Sequence, residues 1–467
     1  GSGDSAKALG YCERAGDKAA ASLAAEQALD FYDGALGSLP PGSYSARKGA
    51  LLAKMGATEL RLGNVDRALE RLGAAMEMRV LSGNTALRAT MQMRAALVLK
   101  GAPEKAAAAM DSGAEALSGA MIDDWAEYAV EWGLSLMEAG RADEARNKIS
   151  EVMARVAEIS APAKRSAAYL AKGKFAWKAG DFASAERDLR SALSEAEASG
   201  ESRAKVKAYD TYGQFLHNRG EYGRAANYLG KGAAESEKAG DVMTLASTLA
   251  NLGMVVSDSG DLDGSVAYLK RAIVIMRRVG VMSGLATTLG NLGYTYAVMG
   301  RNEEALRYQS ESLSIRERLG SKTAVAWSRY DMGLVHQNLG DFGEAEASLR
   351  FCLDVWPPED EPMGYSSAEA ILGDLLRELG RAAEAREFFQ RALEHSRPSD
   401  NKATQFSAMA GLLRGDWHLA GEIFPTLEAI AAELQDKSID LELDAVKAGL
   451  AINNGDMAGC LRIVERG

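Results

Sequence analysis

Apolar residues along this chain recur at helical spacing, and they come in blocks of two. From Thr244 to Gly280, Leu245, Leu249, Leu252 and Val256 mark one stripe, Gly260-Asp261 interrupts it, and Val266, Leu269, Ile273 and Met276 resume it. The pattern predicts two amphipathic helices, A and B, joined by a tight turn. A glycine reaches the left-handed conformation that ends helix A, and a following Asp accepts hydrogen bonds from the free amides that start helix B. Gly-Asp recurs at 180, 260, 340, 415 and 455.

The block itself repeats. Turn glycines Gly140, Gly180, Gly220, Gly260, Gly300, Gly340 and Gly380 are spaced by 40 residues, and Gly133, Gly173, Gly213, Gly253, Gly293, Gly333 and Gly373 precede them by seven. A small residue follows each turn by five: Ala145, Ala185, Ala225, Ser265, Ala305, Ala345 and Ala385. Three registers in phase over seven copies exclude chance. They extend back through Gly101 and Gly63, with Gly56 and Ala68, and forward after a five-residue deletion through Gly415 and Gly455.

Glycine inside a helix costs roughly 1 kcal/mol relative to alanine. Its recurrence predicts that helix B crosses helix A there, opposite the small residue such as Ala225 or Ala305. Gly200, Gly240, Gly280 and Gly320 are expected to close helix B. About twelve units result, the first irregular, the third without its mid-helix glycine and the eleventh shortened with Pro425 in helix B. The Pro357 to Pro362 segment lengthens one loop without breaking the register. We expect an irregular N-terminal repeat over 1–42, a regular array over 43–398 and shortened repeats over 399–467. Stacked units share one continuous core, so the fold class is an all-α, right-handed solenoid.

These residues resemble the tetratricopeptide repeat family: Leu-Gly at Leu252-Gly253, Leu292-Gly293 and Leu372-Gly373, Tyr296 in the aromatic slot, a large residue such as Tyr32, Leu189 or Phe389, then Ala192, Ala272 or Ala392, with Pro40 and Pro357 in the terminal proline slot. The period is 40 rather than 34, so each helix is expected to be about a turn longer. Kinesin light chain, polarity adaptors and bacterial signalling regulators are similar in having long repeats. Tyr11 to Ala20, running into Glu26 to Tyr32, resembles the first segment of the sensor arrays attached to bacterial STAND-type signalling ATPases, such as LuxR-type activators, adenylate cyclases and kinases. That resemblance implies a sensor or scaffold arm controlling a nucleotide switch outside this chain. The opening Gly1-Ser2-Gly3, with Met55 the first methionine, is what an excised segment would show.

Composition narrows the chemistry. Glycine numbers 48 against 9 prolines, yet 47% of residues are hydrophobic and 25% charged, so the glycines punctuate folded structure. Three cysteines and four histidines are scattered without disulfide-framework or zinc-ligand spacing, and a reducing, cytoplasmic setting is the default. A net charge of -11 argues against nucleic acid or anionic membrane as direct partners, and no apolar stretch is long enough to span a bilayer. No phosphate-loop, H-E-x-x-H, C-x-x-C or G-x-S-x-G pattern occurs, and Gly230-Lys231-Gly232 falls within a helix B. Neither a catalytic residue nor a metal or cofactor is expected.

The family resemblance implies a groove faced by residues thirteen, ten, six, three and two before each turn glycine. This selects Lys174, Trp177 and Lys178; Lys207, Asp210, Gln214, His217 and Asn218; Met254; Tyr294; Trp327, Tyr330, Gln337 and Asn338; Asp374 and Arg377. Asn251 and Asn291 sit nine before their turns, with Thr211 and Asp331 in the same slot, and resemble the Asn that reaches a ligand backbone in peptide-binding relatives. Hydrogen bonding to the adjacent repeat is the alternative. Trp177 and Trp327 read equally as inter-repeat packing, and His217 and His336 read as structural, without a carboxylate partner at useful spacing. In the N-terminal repeats Ala50, Ala53, Ala57, Leu60, Met91, Ala95, Val98, Leu99, Val130, Leu134 and Met137 read either as an apolar groove or as core. The expected function is non-enzymatic binding of a protein or peptide. A small-molecule inducer such as an oligosaccharide, and self-association through the apolar groove, are the alternatives.

Overall fold

The computed structural model describes residues 2–21, 24–39, 46–62, 64–78, 81, 83–99, 102–117, 120–359, 361–399, 401–434 and 437–464. Pro40, Gly63 and Gly101 of the predicted register lie outside the described residues. Among those described there is no strand, and the helices are α1 (Ser2–Ala21), α2 (Ala25–Gly37), α3 (Ala46–Arg61), α4 (Val65–Glu77), α5 (Gly83–Leu99), α6 (Pro103–Gly113), α7 (Ile122–Glu138), α8 (Ala142–Ala154), α9 (Pro162–Lys178), α10 (Phe182–Ser199), α11 (Ser202–Asn218) and α12 (Tyr222–Ala239). They continue as α13 (Val242–Asp258), α14 (Leu262–Val279), α15 (Met282–Val298), α16 (Asn302–Leu319), α17 (Lys322–Leu339), α18 (Phe342–Val355), α19 (Pro362–Glu378), α20 (Ala382–Ser396), α21 (Lys402–Gly415), α22 (Ala420–Leu434), α23 (Lys437–Asn453) and α24 (Met457–Val464). Odd numbers are A helices and even numbers B helices, which makes twelve pairs. Packing divides the chain into two compact units, Gly1–Met299 with Ser314–Ser321, and Gly300–Leu313 with Lys322–Gly467.

The turns follow the glycines. Gly140, Gly180, Gly220, Gly260, Gly300, Gly340, Gly380 and Gly455 have positive φ between helices A and B, as do Gly200, Gly240, Gly280 and Gly320 at the ends of helix B. Asp181, Asp261 and Asp456 accept from the amides of Ser184, Gly264 and Gly459 at 3.0, 2.9 and 2.8 Å, capping the next helix. Two positions depart. Asp341 makes no cap bond and instead approaches the His336 ring at 3.5 Å. Gly415 stays helical as the last residue of α21, because the shortened repeat leaves through extended Asp416 (φ −154°) into a single 3₁₀ turn.

In most pairs the mid-helix glycine meets the large residue sixteen positions on. A Cβ at Gly56, Gly173, Gly213 or Gly253 would lie 2.6, 2.8, 2.8 and 2.7 Å from Leu72, Leu189, Leu229 and Leu269. At Gly133 and Gly373 the opposing residues are Ile149 at 2.9 Å and Phe389 at 2.7 Å. The expected partner was the small residue; it contributes only backbone, as where the Ala225 carbonyl lies 3.4 Å from the same point on Gly213. The small residue lets the two backbones approach, and the large one four positions later then fills the space above glycine. Gly16 meets Tyr32 at 2.5 Å over the same interval, so the first pair has this contact too.

Helix B also packs on the following helix A, and successive A helices touch: α7 with α9, α9 with α11, α11 with α13 and α13 with α15 in the first unit, and α17 with α19 and α19 with α21 in the second. The A helices therefore line the crowded inner face of each unit. In the first unit Leu189, Leu229, Tyr212, Phe215 and Leu252 belong to one buried cluster running through three pairs.

Gly253→Ala is expected to cost about 1–3 kcal/mol by driving a methyl group into Leu269. Amide exchange in α13 and α14 should accelerate, and shortening the partner in a Gly253→Ala, Leu269→Ala double variant should recover part of that loss. Equal destabilisation by the single and double variants would show that the contact does not set the cost.

Candidate functional site

The inner face of the first unit carries three kinds of side chain. The first kind staples one A helix to the next. Lys178 donates to the Met137 carbonyl at 3.1 Å, Trp177 Nε1 donates to Asn218 Oδ1 at 3.1 Å, and His217 Nε2 pairs with Asp258 Oδ2 at 2.5 Å. Each joins the residue three before one turn glycine to the residue two before the next, an interval of 41 residues. The second unit repeats it where Gln337 donates to Glu378 at 3.4 Å. Trp177 also packs edge-on against Phe215, with ring centres 5.6 Å apart. His217 thus has the carboxylate neighbour that sequence spacing did not reveal, since a partner one repeat away lies far off in sequence and one helix away in space, whereas the carboxylate beside His336 is Asp341, five residues on in the same turn.

The second kind is a charge network on α5, α7 and α11. Arg94 pairs with Glu131 at 3.3 Å and Glu138 at 2.7 Å, and Lys207 reaches Glu131 at 3.8 Å across the intervening helix α9. Lys54 likewise pairs with Glu13 at 3.0 Å and Asp17 at 2.8 Å. These residues correct the apolar reading of the N-terminal face. Val130 is core, the other apolar residues whose side chains are described there are half-buried, and ion pairs cross between them. Glu131 could have been found, because it stands nine before Gly140, in the slot of Asn251 and Asn291. Arg94 could not, because its repeat lacks the glycine that anchors the register.

The third kind, Asn251, Asn291, Lys174 and Asp210, keeps bonding capacity unused among the described residues. The Asn251 and Asn291 carboxamides, half-buried on α13 and α15, have no hydrogen-bond partner among the described residues. Lys174 on α9 is half-buried and makes no hydrogen bond or ion pair among the described residues; burial, with the positive charge of Lys207, pushes its pKa down. Asp210 on α11 accepts from Thr248 Oγ1 at 3.1 Å through Oδ2, while its buried Oδ1 accepts from nothing. Burial pushes Asp210 up to about 6, against the opposing pull of Thr248 and Lys174. Met254 is half-buried and Gln214 exposed, and Tyr294 shows 42% of its surface.

In the second unit the predicted residues are mostly engaged. Trp327 and Tyr330 pack with buried Trp356, with ring centres 4.7 and 6.0 Å from it, so the aromatic pair belongs to a packed cluster although Trp327 stays 36% exposed. Asp331 accepts from Gln309 at 3.4 Å, a fully buried glutamine in the register position that Leu189, Leu229, Leu269 and Leu349 hold elsewhere. Asp374 accepts from Arg377 at 3.3 Å, and burial holds its pKa above the usual carboxylate range. Asn338 is exposed.

Among the described residues no group of three His, Cys, Asp or Glu side chains is placed to hold a metal ion, and no helix is long and apolar enough to cross a membrane.

A raised carboxyl pKa has a signed consequence. The folded chain holds the Asp210 proton to higher pH than the unfolded chain, so stability falls as pH rises from about 4 to about 6 and stays lower above that. Asp210→Asn, which keeps an acceptor for Thr248, should stabilise the chain by about 1–2 kcal/mol at pH 7.5 and change little at pH 4. Thermal midpoints of the two proteins at both pH values check this, and a variant less stable at pH 7.5 would contradict it.

Comparison with known proteins bears on this arrangement. Tetratricopeptide repeat models match residues 130–202, 245–279, 284–357 and 330–402. Curated protein sequences give no match. Among solved structures, a Rap protein complexed with competence and sporulation factor is 11% identical with a TM-score of 0.51, covering 76% of this chain and 98% of its own. Apo RapI is 13% identical with a TM-score of 0.51, covering 73% and 95%. The apo form of the quorum sensor NprR from B. thuringiensis is 13% identical with a TM-score of 0.50, covering 74% and 98%. These likenesses concern the fold. With its seven in-phase turn glycines, its twelve helix pairs and the matching family models, the chain is a tetratricopeptide repeat protein.

Proposed function

We propose that this chain is a non-enzymatic protein- or peptide-binding scaffold, whose ligand lies as an extended segment along the A helices α9 to α15 of the first unit. The observation that carries this reading is the pair Asn251 and Asn291. They occupy one slot on adjacent A helices, half-buried, with no internal hydrogen-bond partner among the described residues. A carboxamide has both a donor and an acceptor, which is what pairing with a peptide unit requires. Packed helices lie about 8–10 Å apart and an extended chain rises about 3.3 Å per residue, so successive Asn residues would meet peptide units about three residues apart. Tyr294, on the same helix as Asn291, adds exposed aromatic area beside that path. The Rap structure, complexed with competence and sporulation factor, supports the reading by showing a ligand-bound chain of this fold. The resemblance of Tyr11 to Tyr32 to sensor-array segments supports placing the scaffold in a larger cytoplasmic signalling regulator.

The test is selection of peptides from a random displayed library on the wild-type chain, followed by affinity measurements on variants. Net hydrogen bonds are worth about 0.5–1.5 kcal/mol each, so Asn251→Ala with Asn291→Ala should weaken selected peptides about tenfold or more. Lys270→Ala, on helix B, should leave them unchanged. Selected peptides indifferent to the two Asn substitutions would overturn the groove assignment.

A further inference from the structure

In the first unit the A helices from α3 to α15 touch in succession, and the row also meets its own beginning. Leu62, which follows α3, lies against Gly280, which precedes α15, so closely that a Cβ on that glycine would stand 3.1 Å from the leucine Cδ2. Burial shows that the two ends cover each other. Val65, at the start of α4, is 2% exposed, whereas the same slot two after the turn glycine leaves Phe182 42% exposed and Tyr222, Leu262 and Phe342 half-buried. Ile315, fifteen after its turn glycine on the part of α16 that belongs to the first unit, is buried, whereas Glu195, Glu235, Ile275 and Val355 are half-buried in that slot. Each wall thus has burial that its own repeat does not supply. The seam is nevertheless not close-packed. A cleft of about 450 Å³ separates the walls, with Leu62 and Val65 on one side and Met282, Ile315 and Leu319 on the other. On its rim Glu26 of α2, Arg67 of α4 and Arg318 of α16 are exposed and make no hydrogen bond or ion pair among the described residues. With Asp66, the α2 and α4 wall presents two carboxylates and a guanidinium to the cleft, and the α16 wall presents the Arg318 guanidinium. Opposite charges therefore face each other across water, an attraction that is weak and screened by salt.

We propose that this seam is a latch on the inner face of the first unit. Leu62 and Val65 seat on Ile315, Leu319 and the Gly280 turn to close the curl, and part from them to admit an extended segment. A solenoid is held by contacts between neighbouring repeats, so separating two walls that are distant in the repeat order leaves every helix pair intact. What parting gives up is the apolar area shared by a few side chains, because no ion pair of Glu26, Arg67 or Arg318 has to be broken. A closed curl admits a chain only end-on, whereas a parted one admits it sideways along several A helices at once. The attraction of Glu26 and Asp66 for Arg318 then draws the walls together again. Admission through the seam rests on the proposed function; the opening and closing of the seam does not.

The experiment uses the whole chain, with Cys12→Ser, Cys352→Ala and Cys460→Ser, and nitroxide labels at Glu70→Cys and Glu317→Cys, two exposed positions on opposite walls. Pulsed electron paramagnetic resonance should give one dominant short distance between them. Leu62→Asp, which puts a charge into the apolar seat, should move the weight to longer distances. Arg318→Glu, an exposed substitution that spares the packing and repels Glu26 and Asp66, should do the same, so that a folding defect in the first variant does not decide the outcome. Peptides selected on the wild-type chain then report on admission by stopped-flow association. A closed form in about tenfold excess or more holds association down by the same factor, so either variant should bind them about tenfold faster and release them at the same rate. Distances unchanged in both variants would overturn the latch. If the distances lengthen and association does not quicken, admission through the seam is overturned, while the groove reading stands on the losses at Asn251→Ala and Asn291→Ala. If the selected peptides ignore both Asn substitutions and both seam variants, groove and gate fall together.

Discussion

Between Gly253 and Leu269 there is room for a hydrogen atom and none for a methyl group, and the same holds between Gly56 and Leu72, Gly173 and Leu189, and Gly213 and Leu229. The small residue at the start of helix B brings two backbones together, and the large residue four positions later drops over the glycine. One pair so formed has a nearly invariant geometry, because a steric contact of this kind tolerates little relaxation. Within each unit, repetition then presents the A helices to the same side. The inner face follows from that contact, since it is where A helices meet one another.

Crowding on that face decides which side chains are available. Residues two and three before each turn glycine lie close enough to the next A helix to bond across, and they do so as Lys178 to Met137, Trp177 to Asn218, His217 to Asp258 and Gln337 to Glu378. Their polar atoms serve the stack. Residues six, nine and ten before the turn are differently placed, and there Lys174, Asp210, Asn251 and Asn291 keep unused bonding capacity. A solenoid is held mainly by contacts between neighbouring repeats, so leaving a few polar groups unpaired within one stretch does not endanger the rest.

The second unit shows how the same slot changes character with its surroundings. Nine before the turn glycine, the Asn251 and Asn291 side chains are unpaired among the described residues, whereas Asp331 is bonded to Gln309, a buried glutamine where leucine stands in five other pairs. Trp327 reads from its register as a groove aromatic, yet Trp356 from the loop after α18 packs against it. A repeat position therefore specifies direction, and the neighbour specifies what is found there.

The 40-residue glycine registers by themselves determined the helix pairs, the turns at Gly140 through Gly380, the helix B ends at Gly200 through Gly320 and the solenoid class, because those features depend on local backbone conformation and on spacing. Gly415 escaped that logic: its repeat is shortened, and the chain exits helically where a full-length repeat would turn. The partner of His217, the Arg94, Glu131 and Glu138 network and the unused bonding capacity of Lys174 and Asp210 were decided only by tertiary structure. Each depends on which side chains a helix 37 to 76 residues away places within a few ångströms, and on how much water that packing excludes. Linear spacing encodes the fold of a repeat; the electrostatics of its face arise only when the repeats are stacked.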